Sequence, residues 1–339
     1  MDPKRPRAVL GFLAAAICSS GWGAAPAPAP PTCGQSSYRV VEVPMMPAAI
    51  NDAGQVAGTT SRHRAAVWTM AGGLSELPLP AGFSHSEAVS INNRGQVAGV
   101  AFDAGFGRHQ AFVVVDHTAT LLPGDAARAH HISDAGTVAG ESQIPGKTTT
   151  QPALWIHLRM LQPIATCCGG SVTSLYDLGQ AIGVVYDDQG RYQAYRWTAA
   201  AGVQRIGPAD RYSAAVAANN RGQIVIETFP GALLYRDGRW DRLRLAPKVP
   251  SHPHAINDCG VIVGSFGPYS DADRAFAWEE SAGFQDLNAL IPADSGWTLE
   301  SASGINNRGE IVGKGDVEGK QDGGFLLVPL QARPEPPAG

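Results

Sequence analysis

The chain has 339 residues, 17% of them charged and 44% hydrophobic, and a net charge of −4 with His neutral. A charge this sparse and slightly acidic argues against the broad basic footprint of a nucleic-acid-binding protein. Forty glycines and 25 prolines exceed the usual shares of about 7% and about 5%, and they fall between short apolar runs, which suits many tight turns rather than collagen or extended disorder.

The N-terminus reads as an export signal. Lys4, Arg5 and Arg7 precede an apolar run over residues 8–18 that is too short to settle across a bilayer as a helix. Small residues follow, so a signal peptide is expected over 1–23, with cleavage between Gly23 and Ala29. A Pro/Ala-rich linker covers 24–37. The expected compartment is periplasmic or extracellular, with no transmembrane span once the signal is removed. Lipid attachment at Cys18 is disfavoured by Ile17 immediately before it. Four cysteines then remain: Cys33, Cys167, Cys168 and Cys259. Two long-range disulfides and free thiols are both open, and the adjacent pair 167–168 is a poor bridge in itself. No spacing resembles a zinc site.

Between residues 38 and 330 the chain repeats itself. A turn motif ends at Gly54, Gly95, Gly136, Gly179, Gly222, Gly260 and Gly309, at intervals of 41, 41, 43, 43, 38 and 49 residues. A phosphate-binding glycine loop would occur once and lead into a helix; regular recurrence with no helical periodicity excludes it. Asn51, Asn92, Asp134, Asp177, Asn219, Asn257 and Asn306 stand inside these turns. Their side chains can bond the backbone two residues on, and the closing glycine supplies the left-handed conformation of a bulged hairpin turn. Most copies continue as apolar alternation to a second glycine; Ile226 takes its place in one.

Each repeat resolves into four strands. The first ends at the turn and the second leaves it. The third carries an aromatic residue such as Trp68, Phe112, Trp155, Tyr195, Tyr235, Trp278 or Phe325, and a short fourth follows. Four antiparallel strands in about 41 residues make one propeller blade. Seven turns and seven aromatic strands are followed by only six fourth strands. The unassigned strand lies in front, at residues 38–45. The expected fold is therefore all-β: a seven-bladed β-propeller closed by an N-terminal strand that pairs with the last blade and removes a free edge. A parallel solenoid or a sandwich array accounts less well for the regular hairpins. A Pro-rich, disordered tail is expected over 331–339, and the chain is expected to be a monomer.

The sequence Ile-Asn-x-x-Gly-x-Val-x-Gly, followed by His109-Gln-Ala-Phe112 or Arg274-Ala-Phe-Ala-Trp278, resembles the family of extracellular repeat proteins named for a His-Ala-Phe signature. The resemblance covers residues 38 to about 330. It implies an exported bacterial protein and assigns no chemistry. This chain departs from the pattern around Asp177, at 231–235, and in usually lacking His before Ala.

Motifs for chemistry are sparse. The turn Asn and Asp residues offer too few carboxylates per loop for a calcium cage, and Asp187-Asp188 reads as a solvated loop. No Gly-x-Ser-x-Gly elbow occurs. Neither a metal nor a cofactor is expected. His130 and His254 both stand two residues before their repeat's Ile, so they are structural equivalents, but they belong to different blades. The leading expectation is an exported binding or scaffolding module for a glycan or a surface protein, with Phe102, Phe106, His130, His254, Tyr269 and Trp297 as candidate contacts. The alternative is a secreted glycoside hydrolase or lyase with paired carboxylates at the propeller axis, drawn from residues such as Glu87, Asp103, Asp134, Asp210 and Glu300.

Overall fold

The computed structural model describes residues 37–330 apart from 144–148, 159, 165–168, 177–178, 188, 230, 247–248 and 269–272. Seven four-stranded antiparallel sheets follow one another along the chain. The first strands, Met46–Ile50, His85–Ile91, Asp125–Ile132, Gly170–Tyr176, Ser213–Ala218, Ser251–Ile256 and Trp297–Ile305, touch their neighbours all the way round. That of blade 7 reaches that of blade 1. They form the inner wall of a propeller. The repeat around Asp177, the most degenerate in sequence, still builds a complete blade 4.

Blade 7 takes its outer strand from the front of the chain. Tyr38–Val43 pairs antiparallel with Gly324–Pro329, in register from Tyr38 opposite Pro329 to Val43 opposite Gly324. Tyr38 packs into the apolar cluster of blades 6 and 7, and Val43 into that of blades 7 and 1. The closing strand thus binds two inter-blade seams as well as one sheet edge.

The core lies between blades. Trp155, Tyr195, Phe112, Phe276 and Phe325, all from third strands, are the largest fully buried side chains. Burying such a ring contributes roughly 2–3 kcal/mol. Trp155 also donates its indole N–H to the Pro123 carbonyl at 2.7 Å, so its one polar atom costs nothing in the interior.

Every inner strand carries a one-residue bulge, at Ala48, Val89, His130, Thr173, Val216, His254 and Ser303. The bulge explains the second glycine of the repeat. A Cβ on Gly140 would land on the carbonyl oxygen of Arg128, two residues before the bulge, and Gly99 meets the Glu87 carbonyl in the same way. Cys259 is disulfide-bonded; the other four cysteines lie outside the described residues. No helix among the described residues is long and apolar enough to cross a membrane.

Candidate binding face

The hairpin turns between first and second strands all emerge on one face of the ring. Because each second strand runs back antiparallel, the loops between second and third strands, and the starts of the inner strands, open on the opposite face. The two faces differ in kind.

The turn face is held by two hydrogen-bonded rings. Asn51 is buried. Its Oδ1 accepts the N–H of Ala53 at 3.1 Å and of Gln55 at 3.0 Å, and its Nδ2 donates to Gln55 Oε1 at 2.8 Å and to the carbonyl of Asn92 in blade 2 at 2.9 Å. The same cross-blade bond runs from Asn92 to Ser133, from Asn219 to Asn257, from Asn257 to Asn306, and from Asn306 back to Asn51. A second ring joins the next residue of each turn. The backbone N–H of Asp52 donates to Asn93, that of Asn93 to Asp134, Asn220 to Asp258, Asp258 to Asn307, and Asn307 to Asp52. Ser133 and Tyr176 occupy the inner position in blades 3 and 4, where no asparagine amide is present to cross. Tyr176 instead donates to Gln180 Oε1 at 2.6 Å. The turn residues therefore cap their own hairpins, as their sequence suggests, and also staple neighbouring blades, which repeats 41 residues apart do not reveal. Asp177 lies outside the described residues.

The rings leave an axial depression of about 160 Å³. Its carboxylates are engaged. Asp52 accepts the Asn307 N–H on Oδ1 and the side-chain amides of Asn93 and Asn307 on Oδ2. Asp258 accepts in the same way from Asn220 and Asn307. Among the described residues, no group of three or more His, Cys, Asp or Glu side chains is arranged to hold a metal ion. Of the other acids considered for a catalytic pair, Asp210 is bound to Arg211, Glu300 to Lys314, and Asp103 caps its own loop through Gly107.

The six candidate contact residues fall in separate places. His130 and His254 sit at equivalent bulges, each with Nδ1 on a carbonyl of the next blade: Val172 at 2.6 Å and Ala302 at 2.9 Å. Thr173 and Ser303 make the same reach with hydroxyls, to Ala215 and Pro47. Burial lowers the pKa of His254, partly offset by its bond to Ala302. Phe102 is not in a loop; it ends a strand and is buried. Phe106 is 47% exposed on the loop face, held at φ +57° with its ring stacked on His85 at 4.5 Å and edge-on to His63 at 5.6 Å. Trp297 begins the inner strand of blade 7 and packs edge-on against Phe325 at 6.1 Å. Tyr269 lies outside the described residues.

One concavity of the loop face lies between blades 5 and 6, and none of the five described residues among those six lines it. It is a cleft of about 860 Å³, within the usual range of ligand pockets. Its lining comes from the approach to the inner strand of blade 5 (Tyr212), the hairpin of that blade (Glu227 to Phe229, and Gly231), its outer edge (Arg242 to Ala246) and the entry to blade 6 (Val249 to His252). Phe229 is 71% exposed, and Tyr212 and Val249 are also exposed. At one end His252 Nδ1 meets Glu227 Oε1 at 2.6 Å, and the Tyr212 hydroxyl lies 3.5 Å from Glu227 Oε2. Burial, then the charge of Glu227, raises the pKa of Tyr212 and keeps it a proton donor. Arg242 and Arg244, both exposed and neither ion-paired with a described residue, also border the cleft, and Arg242 stands opposite Leu233 on the side of the sheet that faces blade 4. Ser251 and His252 both line the cleft, but successive residues of a strand point to opposite sides, so they do not form a nucleophile–base pair.

No family model and no curated protein matches the chain. Solved structures do. The β-propeller domain of the Trilobed protease from Pyrococcus furiosus, described as having an open velcro topology, aligns at TM-score 0.59 with 8% identity, over 86% of this chain and 95% of that one. The likeness is one of fold. YCF48 bound to D1 peptide aligns at 0.53 with 10% identity, over 86% and 96%. An acylaminoacyl peptidase of Pyrococcus horikoshii aligns at 0.52 with 12% identity, over 72% of this chain but 45% of the longer enzyme. Where the first of these propellers is open, this ring is closed by Tyr38–Val43.

Proposed function

We propose that the protein is an exported binding module that takes a glycan or protein ligand on its loop face, in the cleft between blades 5 and 6. One observation carries this reading. Phe229, Tyr212 and Val249 stand exposed around a concavity of about 860 Å³, and a monomeric soluble surface gains nothing from such a grouping unless something covers it. Export is supported by the basic and apolar character of residues 4–18. The His-Ala-Phe resemblance agrees with export and stays at that level. The structural neighbours include a propeller solved with a peptide bound; at 10% identity it illustrates what the fold can host. A catalytic role gains less support, since Glu227 is the one carboxylate among the described residues that line the cleft, and glycoside hydrolysis needs two.

The test is a screen of immobilised glycans and peptides with the parent protein and with a Tyr212→Ala/Phe229→Ala double variant. Phe106→Ala, on the far side of the loop face, serves as the control. Ligands held by the parent and by Phe106→Ala should be lost at least tenfold by the double variant. If every ligand found binds the double variant as well as the parent, the cleft is not the site.

A further inference from the structure

We infer that the ligand of the cleft is a chain of neutral, equatorially linked sugar units that continues out of the cleft onto a second subsite built on Trp240. This rests on the reading of the cleft as the binding site and names the chemistry and reach of its occupant. The first argument is a second concavity, of about 950 Å³, on the other side of the same blade. Between the third and fourth strands of blade 5, Ala232–Arg236 and Arg239–Leu243, Trp240 stands opposite Tyr235 and Arg242 opposite Leu233. Opposed residues of a strand pair share a face. Leu233 and Tyr235 pack into the seam between blades 4 and 5, so Trp240 and Arg242 face blade 4, roughly 7 Å apart as alternate residues of one strand. Pro208 to Arg211, the approach to the inner strand of blade 5, also lines this concavity. The two concavities adjoin. Thr228 and Arg242 line both, and Arg211 in one is followed by Tyr212 in the other.

The second argument is the series of exposed rings. Trp240 is 49% exposed. Tyr212 and Phe229 stand exposed in the cleft, and Tyr192 of blade 4, also exposed, touches Tyr212 with ring centroids 5.6 Å apart. A small molecule seated on Phe229 does not reach the blade-4 side of the sheet, whereas a chain of repeated units does. An equatorially linked pyranose presents a flat C–H face to such rings and its hydroxyls to the groups around them. Those groups are the third argument. Asp210 and Arg211 form a two-bond pair at 3.1 and 2.9 Å, and Asp241 is held by Arg236. A paired carboxylate and guanidinium keep spare acceptors and donors side by side, which suits hydroxyls, since each both donates and accepts. With its acids paired and Arg242 as its one cation without a partner among the described residues, this concavity carries no run of like charge that would select a polyanion or a polycation.

The experiment is isothermal titration of the full chain with cello- and chito-oligosaccharides of three and six units, with a hexaproline peptide as a probe of the other class. At least one of the two sugar ladders should bind, its hexamer at least tenfold more tightly than its trimer, because the second subsite is engaged at high effective concentration. Trp240→Ala should bring the hexamer down to the affinity of the trimer and leave the trimer unchanged. Trp240→Phe should keep most of the gain. Tyr212→Ala/Phe229→Ala should weaken trimer and hexamer alike. Arg239→Gln, exposed on the same strand and outside both concavities, should bind like the parent. A hexamer that binds no better than the trimer, or a gain that survives Trp240→Ala, overturns the second subsite and leaves the cleft as the site. Tighter binding of hexaproline, lost in Trp240→Ala, overturns the sugar. No binding of either ladder overturns the inference, and binding that neither Trp240→Ala nor the cleft double variant alters overturns the cleft as well.

Discussion

A buried asparagine is usually a liability, because each amide atom left without a partner costs about 1–3 kcal/mol. Asn51, Asn92, Asn219, Asn257 and Asn306 avoid that cost by spending both ends, the oxygen on their own turn and the nitrogen across the seam. The seam between blades 3 and 4 lacks this link, and His131 lies beside it. The ring of His131 reaches the axial depression, while its Nδ1 is buried with no hydrogen-bond partner. Burial lowers its pKa to about 4 against an ordinary 6.5, with the charge of Asp134 opposing. The folded chain keeps this imidazole neutral while the unfolded chain takes up a proton as pH falls through 6.5. Stability is therefore full above that value and is lost progressively down to about pH 4, by on the order of 2–3 kcal/mol. His131→Gln should remove that part of the acid sensitivity. Thermal melts of parent and variant at pH 7 and pH 4.5 check it: the variant should lose less on acidification. The slope will not vanish, since burial also lowers the pKa of His109 and His254. An identical pH dependence in the two proteins would rule out His131 as the source.

At the scale of the element, the hairpin is the part written most plainly in the sequence. Gly95 has φ +75°, a region that a β-branched residue enters only under strain of about 1–3 kcal/mol. Arg94 beside it is exposed. Gly95→Val should lower stability in urea melts by that amount, and Arg94→Ala should stay within about 0.5 kcal/mol. Comparable small losses in both would mean that the turn does not depend on its glycine. Turn glycines are legible because the reason for them is local. The second glycine of each repeat shows as a pattern, but its cause is a bulge carbonyl on a strand ten or more residues away, a matter of register between strands. The bulge also explains why His130 and His254 are structural equivalents: at that position they reach the next blade, as Thr173 and Ser303 do. The cleft was the least legible feature. Tyr212, Phe229, Arg242, Arg244 and Val249 come from separate stretches, each of which reads alone as an ordinary loop. A signal was nonetheless present, because blade 5 is where Ile226 replaces the second glycine and where 231–235 departs from the aromatic strand pattern. Those irregularities border the cleft.

For the whole molecule the governing feature is closure. Strand counting alone placed 38–43 on the last blade, because a ring of hairpins leaves one strand short at one end and one over at the other. The pairing adds what counting could not, namely that Tyr38 and Val43 fill two different seams. Cys259 packs against the same cluster as Tyr38, and Cys33 stands five residues before Tyr38 in the sequence, a span of at most about 17 Å when extended. Cys167 and Cys168 come shortly before Gly170 in the sequence, and Gly170 begins the inner strand of blade 4 at its loop-face end, whereas Cys259 is in a turn at the other face. Peptide mapping without reductant should therefore join Cys259 to Cys33, a link that would tie the closing strand to blade 6. Removing Tyr38–Val43 then takes away a sheet edge, two buried side chains worth roughly 3–6 kcal/mol, and the register of that link. It also leaves Gly324–Pro329 as an open edge able to pair with another chain. Removing 24–32, rich in Pro and Ala, keeps Cys33 and should cost almost nothing. Thermal melts of the two purified truncations, with light scattering for mass, separate the cases. The shorter truncation should melt like the parent, and the 38–43 deletion should melt well below it or associate. A monomeric 38–43 deletion with an unchanged melt would mean that the ring is held by its asparagine staples and seams alone, and that the paired strand adds nothing to closure.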